Sequence, residues 1–258
     1  MKFLKLSAKF NFMSGPVMLE SQDLYTSDTV KNHPFGSLAF GYGGKLYRYA
    51  QVDSAAALIK GNTLQEAITN TSYDEMAIGT AGVVGDKYLQ VTNGNATITS
   101  AQFADGTIGC VVAGAGVAIG DEYVVQAVTG TLTTGAALKV WVDRPLRYAY
   151  ATTTTKVAMN QNPWSGVIQS NGTTATGMPV GVAIYEMPLS TYGWVQTHGE
   201  CTVLCDATTM AVGSDLALSV TVAGAAGLYA VISGRVRIGM ARQANSSGKG
   251  IAAFLQID

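Results

Sequence analysis

The chain reads as an all-β protein of antiparallel sandwich or barrel units, β-barrel or jelly-roll-like, with an extended N-terminal arm. Three observations lead there. Short runs rich in β-branched and aromatic residues recur, among them KYLQV, ATITS, TIGCVV, DEYVVQAV and ALKVWVD, each bounded by Gly, Asn or Asp. Turn signals fall roughly every 8–12 residues, the spacing of an antiparallel sandwich or barrel. Charged residues make up only 13% of the 258, where about 25% is usual; a surface so poor in ions can pack against other protein with little desolvation.

Residues 1–35 form the arm. Ser14-Gly15-Pro16 and Asn32-His33-Pro34 bracket the polar stretch SQDLYTSDTVKN, and Pro and Gly impose extended or turn geometry there. The arm carries Phe3, Phe10, Phe12, Met13, Met18, Leu19, Leu24 and Tyr25. Such apolar groups are a liability in water, which makes them candidate protein-interface residues.

A first β domain is expected over 36–142. GSLAFGYGGKLYRYAQV reads as a hairpin turning at Gly41–Gly44. DSAAALIKGN predicts a short helix near 54–60, with Asp53 or Ser54 as N-cap and Gly61 at C′. Gly94 in Thr92-Asn93-Gly94-Asn95 predicts a type I′ hairpin turn, which requires positive φ. Residues 143–179 hold Pro145, Pro163 and Pro179 and the runs ATTTTK and SNGTTATG, and are expected to be a connector. A second β domain spans 180–258, through VGVAIYE, GWVQTHGECTVL, DLALSVTV, LYAVI, RVRIGMAR and GIAAFLQID. Turns at Val84-Gly85-Asp86, Ile119-Gly120-Asp121 and Val212-Gly213-Ser214 each precede a strand, which implies similar local turns and no repeat architecture.

The formal net charge is −1, and no basic stripe offers phosphates a partner; direct nucleic-acid binding is not expected. No apolar run reaches the ~18 residues of a membrane span, so no membrane partner is expected. In MKFLKLSAKF, Lys5 and Lys9 interrupt the apolar core a signal peptide needs, which reads as a mature N-terminus. Three cysteines do not make a disulfide framework.

The search for chemistry yields little. His198, Cys201 and Cys205 suggest a metal site by spacing. On a strand, however, Cys201 and Cys205 share a face with Val203, about 13 Å apart when extended, and His198 points the other way. No metal or other cofactor is expected. His33 and His198 are the only histidines, and neither lies in a nucleophile setting; no G-x-S-x-G occurs. GAGVAIG at 114–120 leads into a strand and so fails as a nucleotide loop. The adjacent carboxylates Asp121-Glu122 and Asp74-Glu75 diverge on a strand, where a glycosidase needs convergence. Catalysis is not expected. Residues 193–206 read as an exposed, Trp-bearing β segment. Tyr192, Trp164 and Trp194 could form a carbohydrate platform; core packing or burial in a subunit interface accounts for them better, and Trp194 is taken as an interface residue.

Several segments, in order, resemble a known family. FGSLAFGYGGKLYRYAQVDSAAALIKGNTLQ carries a small-residue hairpin with Arg48-Tyr49, an Ala-rich stretch and the step Gly61-Asn62-Thr63-Leu64. Asn162-Pro163 leads to a short strand, then Pro179-Val180-Gly181-Val182-Ala183, then Tyr192-Gly193-Trp194-Val195-Gln196, and IAAFLQID closes the chain. From about Pro34 to Asp258 this order resembles the head decoration, or cement, proteins of tailed bacteriophages. The resemblance implies a structural virion protein, made in the host cytoplasm, that binds the outer capsid surface and stabilises the head. Its implied partners are the major capsid protein and itself, as a homotrimer, and it carries no catalytic residues over. The competing class is a receptor- or glycan-binding β module of a phage tail or fibre.

Overall fold

In the computed structural model the described residues are 17–18, 23–68, 70–94, 98–99, 101–130, 133–174, 176–206, 208–229, 236–244 and 248–258. The fold is all-β, as the alternation of apolar and polar residues predicts. The chain first lays down β1 (Val17–Met18), β2 (Leu38–Phe40), β3 (Leu46–Gln51) and β4 (Thr63–Gln65). It then builds β5 (Met76–Thr80), β6 (Tyr88–Thr92), β7 (Thr107–Val112), β8 (Glu122–Gly130), β9 (Ala137–Val142) and β10 (Lys156–Asn160). It finishes with β11 (Ile168–Gln169), β12 (Pro179–Ala183), β13 (Tyr192–Leu204), β14 (Asp215–Leu218), β15 (Ala226–Leu228), β16 (Arg237–Ala241) and β17 (Gly250–Gln256).

The middle six strands close into a barrel in the order β10-β5-β6-β9-β8-β7. Its interior follows from period-2 alternation. β9 reads exposed-buried three times over, and Leu138, Val140 and Val142 point inward. On β8, Tyr123 and Val125 face in, then Val128; a bulge between Val125 and Ala127 shifts the parity. The first and last groups of strands form one eleven-stranded host sheet, with the path β1-β2-β3-β13-β17-β16-β14-β15 and β12, β4 and β11 branching from β13. Cys205 bridges Ala226, so the end of β13 meets β15 and the sheet curls round its own core of Val203, Leu216, Ile238, Ile251 and Leu255.

These pairings redraw the expected boundaries. The 38–51 hairpin forms as expected, Leu38 opposite Arg48 and Phe40 opposite Leu46. It does not join the barrel: β3 pairs with β13, Trp194 opposite Tyr49. The expected connector, 143–179, supplies two strands, β10 to the barrel and β11 to the host sheet. The barrel is therefore an insertion between β4 and β11, and not the whole of 36–142.

No helix forms over 54–60. Asp53 Oδ1 accepts the Ala55 N–H at 2.7 Å, an Asx turn in place of a helix cap. Leu58 is then drawn into an extended bridge with Met187, N–H to O both ways, and is buried beneath it. Tertiary burial overrides the alanine propensity. Nor is Gly94 a hairpin residue: its φ is not left-handed, and β6 runs on towards β7 with residues 98–99 outside any strand. Gly94 serves close approach, because a Cβ there would lie 2.2 Å from the Ser72 carbonyl oxygen. Both Gly94→Ala and Gly94→Asn should therefore lower stability by about 1–3 kcal/mol, the usual range for overpacking. A type I′ turn would accept Asn; wild-type stability of Gly94→Asn in a urea titration would restore that turn.

Candidate functional site

All neighbouring strands of the barrel are antiparallel. Strands successive in the chain therefore run in opposite directions, and the β5–β6, β7–β8 and β9–β10 connections gather at one end. The chain enters and leaves at the other. The gathered end is here called the top.

Two of the three recurrent turns sit there. Val83–Asp86 and Ala118–Asp121 close by N–H to O bonds of 3.1 and 3.4 Å, with Gly85 and Gly120 at φ 99 and 89. In each, the glycine N–H donates to a carbonyl across the turn and the next residue's carbonyl accepts that partner's N–H: Leu146 in the β9–β10 connection for the first turn, Cys110 in β7 for the second. This is a glycine-led bulge fused to a tight turn. Ala211–Ser214 in the host sheet repeats it against Ala241, with Gly213 at φ 84. Each turn holds an apolar residue at its tip, 61% exposed at Val84, 70% at Ile119 and 68% at Val212.

A buried carboxylate braces the top. Asp121 has a side chain only 3% exposed and accepts the hydroxyls of Tyr123 and Tyr150 at 2.8 Å each and Arg147 Nη2 at 2.9 Å. Arg147 N–H in turn donates to the Tyr123 hydroxyl, and Tyr150 pairs with Gly82. The carboxylate thus ties the β7–β8 turn and the start of β8 to the β9–β10 connection, and the backbone pairing of Tyr150 with Gly82 extends the tie to the β5–β6 connection. Burial pushes the Asp121 carboxyl up, but the Tyr150, Tyr123 and Arg147 hydrogen bonds overcome it and hold the pKa below the ordinary carboxylate value. Burial, then the bond to Asp121, raises Tyr150 well above the ordinary phenol. Glu122, next in sequence, is exposed, so the expected divergence of the pair holds.

The sequence-predicted interface residues fall elsewhere. Trp194 is buried, at 3% exposure, and so corrects the reading of an exposed strand. The first half of β13 is covered on both faces. Leu24, Tyr47 and Tyr49 pack with Trp194 on one side, and Val180, Ala183 and Met187 with Val195 on the other. Leu24 is likewise core, since residues 23–35 are laid on the sheet and are not a free arm. Asp28 and Tyr192 exchange backbone hydrogen bonds, Tyr185 donates to Thr26 O, and the Tyr49 hydroxyl accepts the Asn32 N–H. Tyr25 remains exposed and packs edge-on to Tyr185. Met18 lies in β1 beside Phe40. Phe3, Phe10, Phe12, Met13 and Leu19 lie outside the described residues.

Cys201, Val203 and Cys205 do share one face, packed against the curled core, and His198 lies edge-on to Phe254 at 5.2 Å. Among the described residues no three of His, Cys, Asp and Glu converge to hold a metal. Burial pushes the Cys201 thiol up to about 12 and raises Cys110. Arg237 and Arg242 pair with Asp215 and Glu200, so neither stands as a free cation.

What sequence reasoning missed is the top of the barrel. Its signal was present in the recurrent Gly-Asp turns, but nothing local announced that two of them share an end, or that Asp121 joins residues from 82 to 150. No protein-family model matches the chain, and no curated protein or solved structure matches it. The fold and this surface define an all-β protein with exposed apolar residues held on braced turns.

Two outcomes follow. Asp121→Asn should cost at least about 1.5 kcal/mol, the low end for a hydrogen bond to a buried charge. Because the folded-state pKa is depressed, that difference should be complete near pH 7 and shrink as pH falls below about 4; a difference unchanged in acid would contradict the brace. At pH 8 the native protein should show no fast-reacting thiol towards a chromogenic disulfide, with all three reacting in denaturant. A rapidly titrating Cys201 would overturn its buried placement.

Proposed function

We propose that this protein is a structural virion component, a decoration or cement protein that binds the outer surface of a phage head and stabilises it. Its partners would be the major capsid protein and further copies of itself, as a homotrimer. The observation that supports this most is the top of the barrel. Val84 and Ile119 project from turns whose backbones are fixed by bulges, and a buried carboxylate locks the loops beneath them. Pre-ordered apolar groups bind without the entropic cost of fixing a loop.

A packaged head is under internal pressure, and the seams between capsid subunits are its weak lines. A rigid body touching more than one subunit adds contact across a seam. Symmetry repeats each contact, so a modest single-site affinity suffices. The resemblance of the order of segments to that of cement proteins and the 13% charge support the same reading.

The test is a titration of purified heads lacking this protein. Wild type should saturate them at a fixed copy number. Val84→Asp/Ile119→Asp should weaken binding at least about tenfold, since each side chain buried at a contact contributes on the order of 1.5–3 kcal/mol. Failure of the wild type to bind any head would overturn the function. Unchanged binding by the double variant would remove the barrel top as the contact and return that role to the residues before 17.

A further inference from the structure

We propose that the cleft where the bottom of the barrel meets the host sheet is a binding site for a short, neutral oligosaccharide. The inference does not depend on the capsid reading. The cleft has a volume of about 690 Å³, within the usual range for small-molecule sites. Four stretches of chain wall it: 66–68 and 70 after β4, 73–74 before β5, 102–107 leading into β7, and 159–163 at the end of β10 and just beyond.

Its polar groups divide into two sets. One set is spent on holding the walls. Asn162 Nδ2 donates to Asp105 O at 3.0 Å and its Oδ1 accepts the Trp164 N–H; Asp105 Oδ2 accepts the Phe35 N–H and pairs with Lys31; Glu66 Oε1 accepts the Met178 N–H. Asp105 even adopts φ 59 to do so, a left-handed conformation that Asp tolerates better than most residues. The other set, Asp74, Gln102, Asn160 and Gln161, lines the same cleft and makes no side-chain hydrogen bond to any described residue. Beside them Ala67, Ile68 and Pro163 line the same cleft, Ile68 61% exposed, and give it an apolar floor, while Tyr73 and Phe103, edge to face at 5.0 Å, and Met159 lie beneath in the barrel core.

The chemistry of the free set selects the ligand. A carboxamide offers a donor and an acceptor in one plane, the pattern that vicinal hydroxyls answer. Three free carboxamides and one carboxylate around an apolar floor suit a sugar ring, which is polar at its edge and apolar on its face. Among the described residues no Lys, Arg or His lines the cleft, while Glu66, Asp74 and Asp105 do. Phosphates and acidic sugars are therefore disfavoured. Nor do the described carboxylates converge on a cation.

The test uses the full chain and ligand-observed saturation-transfer NMR. The probes are maltotriose, cellotriose, chitotriose, mannotriose, lactose and sialyllactose. At least one neutral sugar should show transfer. Gln102→Ala/Gln161→Ala should weaken that sugar at least tenfold while keeping the wild-type circular dichroism, and Val212→Asp, on the exposed host-sheet turn outside the cleft, should leave it unchanged. The proposal is overturned if no neutral sugar shows transfer, if the double variant binds as wild type does, or if sialyllactose binds better than lactose.

Discussion

The placement of everything else depends on one pairing, β4 against β11. The chain leaves the host sheet at Gln65 and re-enters at Ile168, and those two residues are cross-strand partners, with Leu64 opposite Gln169. Leu64 and Gln65 are fully buried. The Gln65 carboxamide is itself held at both ends, donating to Thr176 Oγ1 and accepting the Asn171 N–H. Closing so long a loop costs little more than closing a short one, because the entropy grows only with the logarithm of length. A folded barrel can therefore hang from two adjacent strands. Its bottom must then face the sheet, and its top must face away.

A second tie sets the barrel against the sheet. Residues 23–35 cross from the host core, where Leu24 packs with Trp194, to the barrel, where Lys31 and the Phe35 N–H meet Asp105. The same aspartate takes part in the cleft wall through Asn162. The segment that looked most like a free arm is thus a strap between the two halves. It also explains the aromatic density of the region: His33 of the strap meets Tyr49 edge-on and Trp194 at a tilt, and beneath it Tyr49 stacks on Tyr192 and packs edge-on to Trp194.

The strands were the legible part of the sequence. TIGCVV, ALKVWVD and GWVQTHGECTVL declare themselves by alternation, and the turns at Gly85, Gly120 and Gly213, read as locally similar, do share one geometry with positive φ at the glycine. What stayed hidden was long range. β4 is three residues, TLQ, with no alternation to mark it, and its partners come from β11 and β12 far along the chain. The 54–60 stretch has helical propensity but meets Met187, which no local window contains. Trp194 looked like an exposed aromatic because the strap that covers it lies near the opposite end of the sequence. The candidate surfaces were hidden for the same reason: they consist of loops brought together by barrel closure.

The two surfaces lie at opposite ends of the barrel, so contact at the top leaves the cleft at the bottom open. That arrangement suits a protein that attaches to one partner while presenting a second site. The most direct measurement is electron cryo-imaging of the particle on which this chain is proposed to sit. The account expects density for a barrel joined to a curled sheet, repeated over the outer face of the head, with Val84 and Ile119 turned towards the capsid lattice. Density confined to the tail, or absent from the particle, would contradict it.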